Sequence, residues 1–77
     1  MNIVTTRLID CFHTVFPDLP VSGIPQATQA SVETWDSTAA ILLVNVIEEE
    51  FEIQMDLDQL AGFDSFERIR TYLNTKL

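Results

Sequence analysis

The stretch Asp36-Ser37-Thr38-Ala39-Ala40-Ile41-Leu42-Leu43-Val44-Asn45-Val46-Ile47-Glu48-Glu49-Glu50-Phe51 contains neither glycine nor proline. Ala40, Leu43, Val44, Ile47 and Phe51 recur at three- and four-residue spacing, which makes one apolar face of an amphipathic helix. Asp36 is a good N-cap, because its short carboxylate can accept a backbone N–H from the first turn. The spacing therefore predicts a helix over 37–51. Its opposite face carries Ile41 and Leu42, an apolar pair where solvent-facing polar residues are the norm.

Upstream, Ile3, Val4, Leu8, Cys11, Phe12, Val15 and Phe16 fall at helical spacing. They predict a first helix of about four turns, ended by Pro17. Residues 17–34 hold Pro17, Pro20, Gly23 and Pro25 among Ser, Thr and Gln, and read as a long loop with one helical turn near Gln26 to Val32. A loop this long in a small domain is often functional. Downstream, Asp56 or Asp58 starts a short helix through Leu60, stopped by Gly62. Asp64 then caps a last helix with Glu67 at the N3 position, a variant of the capping box. Phe66, Ile69, Tyr72 and Leu73 form its inward face. No segment reads as a paired β-strand. The expected fold is all-α: a small four-helix bundle, with three main helices, a short third one and a long first loop, in a single domain over 1–77.

Composition narrows the function classes. The 77 residues are 47% hydrophobic, enough for a core and too apolar for a disordered chain. Cys11 is the only cysteine, so no intrachain disulfide forms. No basic region followed by an apolar stretch marks a signal peptide. The apolar run from Ala39 to Val44 is far short of the roughly 20 residues a membrane span needs. A cytoplasmic monomer without membrane insertion is the expectation. Twelve acids against four bases give a net charge of −8. The bases Arg7, Arg68, Arg70 and Lys76 form no patch that could release many counterions, so nucleic-acid binding is excluded. A field of this sign keeps the chain soluble and steers basic partner surfaces toward it.

Catalytic and metal chemistry finds little support. His13 is the only histidine, on the solvent side of the first helix, without the partners a general base needs. Cys11 lies in the apolar stripe, which predicts an inert buried thiol. One Cys and one His cannot supply a zinc site, and two glycines make no phosphate-cradling loop. Counting Asp56 as position 1 of a calcium loop puts Asp58 at 3, Asp64 at 9 and Glu67 at 12. However, position 5 is Leu60 and position 6, where the sharp turn demands glycine, is Ala61. Gly62 falls one residue late.

Ser37 is the informative residue. It follows the cap at the first helical turn, where unpaired N–H groups and the positive end of the macrodipole favour a negative group. A phosphate esterified to its hydroxyl would sit in a favourable field. The run Asp36-Ser37-Thr38, the helix with Ile41, Leu43, Val44 and Ile47, and then Glu48-Glu49-Glu50-Phe51 resembles acyl carrier proteins. In that family an Asp-Ser pair opens the second helix, which closes in acids followed by Phe. The resemblance runs over about residues 31–76 and ends in Arg70-Thr71-Tyr72-Leu73, which looks like the family's closing helix. The first helix and loop match in length and apolar pattern only.

The resemblance implies that Ser37 is esterified by 4′-phosphopantetheine from coenzyme A, and that the arm's thiol holds acyl groups as thioesters. The chain would then be no enzyme, but a carrier for fatty-acid, lipid or specialised-metabolite synthesis; a carrier of amino-acyl or polyketide units is a near variant. Asp36 would support modification by helping to position the transferase's metal ion and the serine. The partners implied are a phosphopantetheinyl transferase and acyl-loading and acyl-transfer enzymes. They would dock on Thr38, Ile41, Leu42, Glu48 and Glu49. The chain departs from the family's general fatty-acid carriers at Thr38, where Leu is usual, at Ala39 and Leu42, where acids are common, and at Thr34, where glycine is common. Those departures imply a specialised carrier with a more apolar docking face. Trp35, beside the cap, packs against the loop or flanks the arm. A different class, an unmodified acidic helical interaction module, would leave Ser37 free.

Overall fold

A computed structural model describes residues 3–55, 58 and 62–76 of the chain. The first apolar stripe folds as α1 (Ile3–Val15), burying Val4, Leu8, Cys11 and Phe12 at the period that one helical face requires. Phe16 extends this face one residue beyond the helix and is also buried. The next regular element is a 3₁₀ helix at Val21–Gln26, then α2 (Ser37–Phe51) and α3 (Phe66–Lys76). α1 is the hub of this all-α arrangement, packing on α2, on the 3₁₀ helix and on α3.

The long loop departs from expectation in one respect. Its helical turn lies at 21–26, before the Gln26–Val32 stretch, and it contains Pro25. Residues 27–32 instead form a tight turn held by reciprocal bonds. The Thr28 amide donates to Ser31 Oγ at 2.9 Å, and the Ser31 amide donates to Thr28 Oγ1 at 3.0 Å. These short polar side chains satisfy the backbone locally and so compete with helix. The turn also pairs with the start of α3. The Gln29 amide donates to the Asp64 carbonyl at 2.7 Å, and the Phe66 amide to the Ala27 carbonyl at 3.0 Å. They flank a single antiparallel bridge between Thr28 and Ser65. Among the described residues no β-strand forms.

The ends of α2 and α3 show how the chain terminates its helices. α2 begins on Asp36, whose Oδ1 accepts the Ala39 amide at 2.8 Å. It ends at Glu52, the only described non-glycine residue with positive φ, at 53°. There the Ile53 amide reaches back to the Glu48 carbonyl at 3.2 Å, the backward bond of a left-handed C-terminal motif. α3 is capped by Ser65, not Asp64: the Arg68 amide donates to Ser65 Oγ at 3.2 Å. With Phe66 as the first helical residue, Glu67 lies one position too early for a capping box. Its carboxylate is instead gripped by Arg70 at 2.7 and 3.0 Å, which holds the Glu67 carboxyl below its ordinary range. The short helix expected between Asp56 and Leu60 lies largely outside the described residues.

The core is continuous across all these elements and holds no buried charged residue among those described. Phe12 is fully buried at its centre, with ring centroids 5.3 Å from Trp35, 5.2 Å from Phe66 and 6.1 Å from Phe16. The inward face of α3 is Phe66, Ile69 and Leu73. Tyr72 is half-buried and packs edge-on against Phe63 at 4.9 Å.

The left-handed backbone at Glu52 costs roughly 1 kcal/mol in a residue with a Cβ. Glu52→Gly should remove that strain and one acid from the helix end, raising stability by about 0.5–1 kcal/mol. A urea titration that gives a lower midpoint for this variant would contradict the account.

Candidate functional site

The N-terminus of α2 is built from a buried anchor, a cap and an exposed hydroxyl in succession. Trp35 is buried to 2% exposure, its ring edge-on to Phe12 and 5.6 Å from Phe16. The indole therefore packs in the core and not along the outer surface beside Ser37. Its Nε1 is a buried side-chain nitrogen without a hydrogen-bond partner among the described residues. With the preceding residue locked, Asp36 adopts extended backbone at φ −99° and ψ −173°. Its carboxylate and carbonyl take the Ala39 and Ala40 amides. Ser37 is the first residue of the helix and is exposed, as are Asp36 and Thr38. Ala40, one turn on, returns to the core.

This geometry leaves the Ser37 and Thr38 amides with no hydrogen-bond acceptor among the described residues, as expected for the first two positions of a helix. An exposed hydroxyl beside free N–H groups at the positive end of a helix fits a phosphoester. The neighbouring Asp36 carboxylate is held by the Ala39 amide at 2.8 Å.

Downstream on the same helix, Ile41 and Leu42 stand 49% and 53% exposed. Thr38, Asn45 and Glu49 share that outer face and are exposed as well. Asn45 had no place among the expected docking residues; its spacing of seven from Thr38 and four from Glu49 would have found it.

The three consecutive acids go to three different places. Glu48 is half-buried, and its Oε2 accepts the Met55 amide at 2.8 Å, fastening the chain that leaves α2. Glu50 pairs with Arg7 Nε of α1 at 2.8 Å. The Arg7 guanidinium also donates to the Glu50 carbonyl and lies 4.7 Å from the centre of the Phe51 ring. Glu49 is exposed and makes no ion pair among the described residues. It borders a shallow depression of about 230 Å³ with Asp10, Cys11, Thr14, Val46 and Glu50.

Cys11 is 2% exposed. Burial, reinforced by the negative charges of Glu50 and Asp10 and opposed by Arg7, pushes its thiol up to about 11. His13 is exposed in the last turn of α1. Of the calcium-loop positions, Asp56, Leu60 and Ala61 lie outside the described residues. Asp64 and Glu67 are engaged by Arg68 and Arg70. Among the described residues no group of three or more metal-ligating side chains comes together. No described helix is long and apolar enough to cross a membrane.

No protein-family model matches the chain, and neither a curated protein nor a solved structure shows significant similarity to it.

Two tests follow from this geometry. Asp36→Ala should lose the α2 cap and cost about 1 kcal/mol, whereas Asp36→Asn, an equally good cap, should be nearly neutral. Equal losses in urea titrations would show that the charge, and not the cap, holds the helix start. For Cys11, the folded thiol stays protonated above its ordinary 9.0. Its contribution is complete below that value and is lost as pH rises toward about 11. Alkylation at mildly alkaline pH should be far slower in the folded chain than in urea; equal rates would refute a buried, protonated thiol.

Proposed function

We propose that this chain is an acyl carrier protein, with an acyl-carrier-like bundle and a 4′-phosphopantetheine arm on Ser37. The observation that carries the reading is the placement of Ser37: an exposed hydroxyl at the first position of α2, directly after an Asp cap that a buried Trp holds in place. The sequence resemblance around Asp36-Ser37 supports the chemistry, and the all-α architecture is compatible with it.

In this reading Ser37 Oγ attacks the coenzyme A phosphate next to the pantetheine unit. A new phosphoester forms, the pyrophosphate bond breaks, the nucleotide part departs and the hydroxyl proton passes to the transferase. The attached phosphate adds negative charge where the helix dipole favours it. The arm, when bound, supplies a thiol for thioester formation. Tethering keeps that thiol at high local concentration for successive enzymes. The body's own part is to hold the serine outward and to present α2 to those enzymes. Asp36 does double duty as cap and as a carboxylate beside the reacting hydroxyl, available to the transferase's metal ion. The net charge of −8 favours encounter with enzymes of basic or mixed surface.

Incubation with coenzyme A and a broad-specificity phosphopantetheinyl transferase should add one phosphopantetheine unit to the intact mass, and Ser37→Ala should abolish the gain. Asp36→Asn should remain folded yet be modified more slowly. A wild-type chain left unmodified by a demonstrably active transferase, and unmodified when isolated from its host, would replace the carrier with an unmodified interaction module.

A further inference from the structure

We draw no further inference here: the strongest candidate, the cavity of about 320 Å³ between the end of α1 and residues 31–34, carries nothing, because the one unpartnered buried N–H near it, Trp35 Nε1, is sealed in the core among Phe12 and Phe16 and nothing in the structure shows what fills the cavity.

Discussion

Phe12 is the junction on which the rest of the structure depends. Its fully buried ring on α1 meets Trp35, the residue before the cap of α2, and Phe66, the first residue of α3. Both later helices therefore start from residues gripped by the same aromatic cluster, and the caps Asp36 and Ser65 are placed immediately beside those contacts. Burial of a large aromatic contributes about two to three times what a cap does. The order of causation thus runs from the core contact to the helix start. In a domain of this size without a disulfide, concentrating the helix starts on one cluster lets a small core fix the long connection from Pro17 to Asp36. The exposure of Ser37 is a consequence: with Trp35 turned inward and Ala40 next to return to the core, the hydroxyl between them faces out.

The acidic end of α2 needed a second solution. Glu48, Glu49 and Glu50 all stand where the helix dipole is negative, so each is unfavourable there. Arg7 offsets this by meeting the Glu50 carboxylate and its carbonyl together, while its guanidinium sits against the Phe51 ring. Cation–ring stacking and a bond to an otherwise unmet carbonyl make this contact worth more than an exposed ion pair alone. Glu48 turns back to secure the chain after the left-handed residue Glu52. Two of the three acids thus stabilise the body, and Glu49 alone of the three makes neither an ion pair nor a side-chain hydrogen bond among the described residues.

Local pattern carried most of the fold. The stripes of α1 and α2 were legible because their periods are long and uninterrupted, and the helix start at Ser37 because Asp36 is a strong cap next to a clean apolar period. What was missed depended on distant partners or on a contest between neighbours. Asp64 and Ser65 are both competent caps, and burial of Phe66 decides for Ser65. The loop's helical turn falls at 21–26 because residues 27–32 are drawn into their own turn and into pairing with the start of α3. Arg7 and Glu50 are 43 residues apart, and no periodicity within either helix connects them. The inward packing of Trp35 likewise needed Phe12 and Phe16 to be in place.

Charge and apolar exposure on this small body are best understood together. Ile3, Val21, Ile41 and Leu42 all stand roughly half exposed or more, a large apolar display for a chain of 77 residues. Such side chains invite self-association when a protein is near neutral. A net charge of −8 opposes it by mutual repulsion, which acts over about 10 Å at moderate ionic strength and needs no particular geometry. The charge does not therefore have to be a docking code to be necessary. Such repulsion opposes contact between copies of the chain while the apolar pair on the first turns of α2 stays exposed. Long-range repulsion and short-range apolar contact act over different distances, so one face of α2 can leave Ile41 and Leu42 exposed while the charge of the whole body opposes their self-association.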